Sequence, residues 1–286
     1  MNLSSQIKLN LKEHLDAIVG ERNPFTTPEK MDAVGQYIVD RFEEWELHPK
    51  ILPVLFDDLE SFNVQAKLPG KNPESPVILI GAHYDSVPDS PGADDNASAV
   101  AALLEIARML SENPPAGPVI LMGFALEEYG FVGSQYWADD AVKNNNKPDG
   151  MIALEMLGYT DKRLGAQKYP PGVDSGQYPD TGDFIAVVGN TDSMELVTSL
   201  TKGMKRTRPE LGIETLVVPG KGEVIRDVRR SDHVPFWEAG IPAVMVTDTA
   251  DFRNPHYHKA TDTLDTLDLD FLTDVTLALA GFFQDN

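Results

Sequence analysis

His83 and Asp85, Asp94 and Asp95, Glu127 and Glu128, Glu155, and the pair His256 and His258 are residues whose types and spacing suit metal chemistry. His83 and Asp85 are two apart in an apolar run, so on a strand they share a face. A carboxylate so placed can hold the ring of a ligating histidine. Glu127 and Glu128 are adjacent and diverge in extended backbone, so one can bind a cation while the other stays free as a general base. Two divalent cations joined by a carboxylate would lower the pKa of a shared water and polarise a carbonyl, which is metal-assisted hydrolysis. The chain has no cysteine, which excludes thiolate ligands, thiol catalysis and disulfides. Any cation must be held by His, Asp and Glu.

Other catalytic templates fail. There is no HExxH, no GxSxG elbow and no GxxxxGK(S/T) phosphate loop. Ser231-Asp232-His233 has the letters of a catalytic triad, but three consecutive residues cannot form the relay. The expectation there is a loop near the cations, ordered by hydrogen bonds.

The elements that must position these residues follow from hydrophobic periodicity. The N-terminal part reads as helix, with a start at Thr27-Pro28-Glu29 and an apolar stripe at Met31, Val34, Ile38, Phe42 and Trp45. ILPVLF and FNVQAKL suggest a hairpin at a sheet edge. From residue 76, apolar strands (76–84, 118–128, 151–159, 183–190, 214–219 and 241–248) alternate with helices at Asn96–Leu110, Ser193–Arg206 and Leu269–Phe283. That pattern implies an α/β fold: a twisted, mostly parallel mixed sheet sandwiched between helices, in one domain over 1–286. In such sheets ligands bind beyond the carboxyl ends of the strands, where these His, Asp and Glu residues fall. Two loops stand out, 160–182, rich in Pro and Gly, and the basic 219–230. They are either binding loops or surface insertions.

The formal net charge of −21 argues against nucleic acid and anionic membrane as partners. No apolar run approaches the length of a membrane span. The N-terminus has no apolar core behind a positive stretch, so the expectation is a cytoplasmic protein without a signal peptide. His14 and His48 are expected to face solvent.

The order GAHYDS, PGADDNASA, EEYGFVGS, LEMLGY, SDHVPF and YHKATDT, from about residue 76 to 267, resembles the two-zinc aminopeptidases related to bacterial leucyl aminopeptidase, glutamate carboxypeptidase II and glutaminyl cyclase. The resemblance implies two divalent cations, zinc in that family. His83 would bind one, Asp94 would bridge both, and Glu128 and His258 would bind the second. Glu127 would be the general base. Glu155 stands where those aminopeptidases have an aspartate and supplies a carboxylate one methylene longer to the first cation. Asp85 would orient His83, with Asp95, Asp232 and His233 around the ligands. A cis peptide is implied between Asp94 and Asp95. His258 is chosen over His256 because the family's ligand precedes a segment like Thr261-Asp262-Thr263, which leaves His256 in support or at the surface. Tyr257 matches the position that stabilises the tetrahedral intermediate in glutamate carboxypeptidase II. The activity implied is an aminopeptidase acting on peptides or aminoacyl compounds with a free N-terminus. The rivals are a one-zinc glutaminyl cyclase, a dipeptidase or carboxypeptidase using Arg229, Arg230 or Arg253 for a substrate carboxylate, and an inactive binding module.

Overall fold

Runs such as ILIGAH and VILMGF carry apolar side chains at both parities, so a strand made from them must be covered on both faces. The computed structural model describes residues 2–285. The chain opens with α1 (Leu3–Ile18) and α2 (Pro28–Glu44), then the strands β1 (Lys50–Phe56), β2 (Leu59–Leu68) and β3 (Ile78–His83). It continues with α3 (Ala99–Glu112), β4 (Val119–Phe124), α4 (Val132–Lys143), β5 (Gly150–Glu155), β6 (Phe184–Asn190) and α5 (Met194–Thr207). β7 (Gly212–Val218), α6 (His233–Glu238), β8 (Ala243–Thr247) and α7 (Leu269–Asp285) complete it. Among the described residues the strands form one sheet in the order β1-β2-β4-β3-β5-β8-β6-β7. Its centre, β4, β3, β5 and β8, is parallel, as is the pair β6 and β7. The edge hairpin β1/β2 and the pairs β2/β4 and β6/β8 are antiparallel.

Strand parity sorts the core into two layers. Ile80, Leu121, Ile152, Val187 and Val244 pack toward the large helical layer with residues of α1, α2, α3, α5 and α7. Their neighbours Leu79, Met122, Met151, Val188 and Met245 pack on the other face, where Trp137 of α4 and Phe236 and Trp237 of α6 close the core. The expected strands, the edge hairpin and the sandwich of helices are all present, with boundaries shifted by a few residues. Two short helices lay outside the expectation. α4 follows Phe131, whose φ of 61° puts a bulky residue where a helix start normally has a capping side chain. α6 has only six residues and begins at His233, the last residue of the segment expected as loop. Its helicity comes from burial of Val234, Phe236 and Trp237, a tertiary effect.

His14 corrects the expectation of a solvent-facing residue. It lies on the buried stripe of α1 with Ile7, Leu11, Leu15 and Ile18, and its Nδ1 is 2.8 Å from the Tyr37 hydroxyl. Burial, assisted by Arg41 and Arg108, lowers its pKa from 6.5 to about 4. The unfolded chain therefore binds this proton at a higher pH than the folded one. Stability from neutral His14 is full above 6.5 and is lost as pH falls toward 4, by about 3 kcal/mol. His14→Phe should flatten the fall of the urea midpoint between these limits; an unaltered pH slope would show that His14 charges freely in the fold. His48 is exposed, as expected.

Candidate metal centre

The parallel centre of the sheet brings the carboxyl ends of β3, β4, β5 and β8 to one edge. His83 is the last residue of β3 and Glu155 the last of β5. After β4 the chain turns sharply at Leu126 (φ 61°) into one helical turn that carries Glu127 and Glu128. These glutamates are therefore not in extended backbone, and an oxygen of each lies within 4.8 Å of the other and of a His83 ring nitrogen. The link beyond β8 delivers His258.

Asp95 stands between the two histidines. Its Oδ1 is 3.5 Å from His83 Nε2 and its Oδ2 is 3.1 Å from His258 Nε2. Glu155 Oε2 lies 3.5 Å from His83 Nε2, and Glu128 Oε2 lies 3.2 Å from His258 Nε2. Two sets of potential ligands result, His83 with Asp95 and Glu155, and His258 with Asp95 and Glu128, each with donor atoms within 4.8 Å of one another. Glu127 Oε2 reaches to 3.9 Å of His83 Nε2, and Glu127 also groups with His83 and Glu128.

Asp94, the expected bridge, belongs to neither of these sets. Asp94 faces away from both histidines: its carboxylate accepts hydrogen bonds from Gly158 N at 2.9 Å and Asn254 Nδ2 at 2.7 Å. The non-helical turn at Asp95 (φ −101°, ψ 91°) points the next carboxylate into the cluster instead. The cis peptide is likewise one residue later than expected, between Asp95 and Asn96. Both acids are buried and both sit in the same short motif, so residue type alone does not separate them.

Supporting contacts fix these side chains. Asp85 Oδ1 is 3.4 Å from His83 Nδ1, and the Asp85 carboxylate also accepts the backbone N–H groups of Glu127 and Glu128 at 3.0 and 3.2 Å. It therefore ties the end of β3 to the glutamate turn. Ser231 donates to Glu155 Oε2. Asp232 is buried near Glu155 and Asp85, and His233 Nε2 is 2.8 Å from the carbonyl of Val228. His256 bonds Thr261 Oγ1 at 3.0 Å and lies outside the cluster. Tyr257 stacks on the His258 ring at 3.7 Å between centroids, and the Arg230 guanidinium lies over the Tyr257 ring at 5.3 Å.

Three supporting residues escaped the sequence reading. Asp262 accepts the backbone N–H groups of both Asp94 and Asp95, at 2.9 and 3.1 Å. Asn96 donates to Leu154 O and accepts from Met156 N, tying the aspartate turn to the end of β5. Arg22 is buried and donates to five backbone carbonyls, including those of Tyr84, Pro91 and Gly92. An arginine in a segment between two helices carries no local signal of that role; ADDN does mark Asn96 as a polar residue inside an otherwise apolar helix start.

The charges fit a cation site. Burial opposes charging of His83, but Glu127, Glu155 and Asp85 outweigh it and raise its pKa well above 6.5. His258 is likewise raised to about 10, against burial, by its bonds to Asp95 and Glu128. Burial pushes Glu127 well above the usual carboxylate range, reinforced by Glu128, Glu155 and Asp232 and opposed by His83. Glu128 rises to about 7 through burial and the charge of Asp95, and Asp232 to about 7 mainly through burial. Glu128 Oε1 and Asp232 Oδ1 are buried without a hydrogen-bond partner. Crowded carboxylates that are costly to ionise, with unused oxygens, are what bound divalent cations would relieve.

Beside the cluster, from Glu155 and Tyr257 outward, lies a mainly apolar cleft enclosing about 100 Å3. Both loops singled out in the sequence line it, one through Tyr169 and Tyr178 and the other through Val228 and Arg230.

The sequence model of peptidase family M28 matches residues 63–283. The chain belongs to this family. Its relatives include an uncharacterised protein of Escherichia coli K12, YfbL, 42% identical over 204 residues, covering 68% of this chain and 62% of that protein. Aminopeptidase YwaD of Bacillus subtilis is 29% identical over 215 residues, covering 73% of this chain and 41% of YwaD. The chain thus spans about half the length of the curated relatives it matches. Among solved structures, the LapA aminopeptidase of Legionella pneumophila superposes with a TM-score of 0.72 at 21% identity, over 99% of this chain and 71% of LapA. That likeness is one of fold.

Proposed function

We propose that this M28 chain is a metal-dependent aminopeptidase that hydrolyses the N-terminal bond of peptides, using two divalent cations, zinc by preference. The observation that carries this reading is Asp95, whose two oxygens each face a different histidine and acid. His83, Asp95 and Glu155 would hold one cation, and Asp95, Glu128 and His258 the other. Bound there, the cations would polarise the scissile carbonyl and lower the pKa of the attacking water.

The chain's own residues supply the rest. Glu127 takes the proton from the water and returns it to the leaving amine, a role suited to a buried carboxyl raised above the usual range. Tyr257 donates its hydroxyl to the developing oxyanion. Burial raises the Tyr257 pKa, so the phenol keeps its proton at neutral pH. The excess of carboxylates over histidines in the cluster suits a substrate that arrives with a free ammonium group. Of the three arginines considered for a substrate carboxylate, Arg229 pairs with Glu238, and Arg253 is buried with donors to Gln167 and Phe184 O. Arg230 faces the cleft but already meets Asp251 at 3.0 Å and Asp227 at 3.6 Å. No free cation among them favours a carboxypeptidase.

The test is metal content together with turnover of a panel of aminoacyl amides and dipeptides. Two equivalents of zinc, and activity that disappears with chelator and returns with zinc, are expected. One equivalent with cyclisation of N-terminal glutamine would move the chain to the cyclase branch. Absence of both metal and turnover would leave a binding protein.

A further inference from the structure

The cleft beside the metal centre is laid out by strand register. Glu155 pairs with Thr247 of β8, Thr247 with Ala186 of β6, and Ala186 with Glu214 of β7. All four line the same cleft, so this row crosses one face of the sheet from the ligand cluster to the sheet edge. Three strand spacings put the backbones of Glu155 and Glu214 about 14 Å apart. The two residues between them are small, which leaves a trough, and Phe184, Val188, Leu216 and Met245 give it apolar walls.

Glu214 stands alone at the far end. Its carboxylate has no hydrogen-bond or ion-pair partner among the described residues, and Lys205 is the one cation that acts on it. Burial raises its pKa, as expected of an unmatched acid facing an apolar trough. Lys168, which also lines the cleft, gives its Nζ to Gly165 O at 2.7 Å. Tyr169 and Tyr178 line the cleft with the acid and stack on each other at 5.4 Å between ring centroids. Their hydroxyls are spent on the carbonyls of Pro179 and Thr215, which leaves ring faces rather than hydroxyls for a ligand. The charge of Glu214 acts on both rings.

We propose that this cleft selects substrates whose first residue has a long side chain ending in a cation, arginine above all, and that Glu214 receives it. The inference rests on the aminopeptidase reading for which substrate residue enters the cleft. An apolar trough accepts the aliphatic stem, as it does for any long basic side chain. An unmatched carboxylate beside a stacked pair of tyrosine rings suits a planar guanidinium, which can fork onto the acid and lie against a ring face. Length agrees: an extended arginine reaches about 7 Å from Cα, and with the scissile carbonyl and a hydrogen bond at its two ends it spans most of the trough. A leucine side chain is about 3 Å shorter and leaves Glu214 unmet. An acidic side chain would meet the repulsion of Glu214, and Arg230 at the near end is already paired.

The experiment compares arginyl, lysyl, leucyl and glutamyl p-nitroanilides with zinc-loaded wild type, Glu214→Gln and Glu214→Lys. In parallel, calorimetry follows binding of L-arginine amide and norleucine amide to zinc-loaded Glu127→Gln, with and without Glu214→Gln. Wild type should favour arginyl over leucyl substrate by about tenfold or more in kcat/KM, and Glu214→Gln should remove about tenfold from that ratio. Glu214→Lys should shift preference toward the glutamyl substrate. An arginyl-to-leucyl ratio that Glu214→Gln leaves untouched overturns the proposal, as does a wild-type preference for leucine. If no anilide turns over, the calorimetry decides. Tighter binding of arginine amide that vanishes with Glu214→Gln upholds the cleft while the peptidase reading fails, and equal binding of the two amides overturns the cleft assignment.

Discussion

Glu127→Gln should keep both cations and lose kcat by roughly a hundred- to ten-thousand-fold, the usual worth of a general base. The substitution preserves size and burial. It leaves untouched the backbone N–H of Glu127, which Asp85 holds at 3.0 Å, so the turn that aims Glu128 stays in place. The two sets that share Asp95 are complete without Glu127, so metal content is expected to match wild type. What the amide cannot do is accept a proton from water and hand it on. Turnover of a dipeptide and zinc per chain, measured on the same preparation, separate the alternatives. Loss of zinc would make Glu127 a ligand, and unimpaired turnover would place the base elsewhere.

How far the sequence discloses such a site depends on how local the determining physics is. The central strands were legible because apolar residues at both parities have one stable destination, between two layers of helices. His83 was legible near the end of its apolar run, whereas Glu155 fell inside a strand expected to run to 159, because apolar Met156 and Leu157 follow it; the structure ends that strand at Glu155. The turn after β4 was less so: extended backbone was expected for Glu127 and Glu128, but Leu126 adopts a left-handed conformation that apolar residues rarely take, and nothing in its type announces it. α6 is stabilised by what Trp237 and Phe236 bury rather than by its own six residues. His14 sits on a stripe that would read as core if it were apolar, and its polarity concealed the pattern. The loops at 160–182 and 219–230 looked alike as candidates for binding, and only the three-dimensional arrangement shows that both line one cleft beside the ligand cluster. Arg22 serves through contacts more than sixty residues distant, which no window of sequence contains.

The two adjacent aspartates offer the sharpest contrast between sequence and structure, and their variants should behave oppositely. Asp95→Asn removes the charge that faces both histidines, so it should abolish stoichiometric zinc binding and, with it, peptide hydrolysis. An amide oxygen can still approach one histidine's side, but it cannot offer a second anionic oxygen to the other. Asp94→Asn acts elsewhere. Its carboxylate already accepts from Gly158 N and Asn254 Nδ2 and lies against Asp248, whose pKa burial and Asp94 push well above the usual range. An amide there must turn one N–H toward a group that was donating, which should cost about 1–3 kcal/mol of stability. Zinc stoichiometry should survive, because no Asp94 atom belongs to either ligand set. Zinc titration by calorimetry and urea unfolding of the metal-free proteins read the two effects separately. Retained zinc in Asp95→Asn with loss in Asp94→Asn would return the bridge to Asp94. That outcome would require the aspartate turn to rotate by one residue, against the two backbone bonds by which Asp262 holds it.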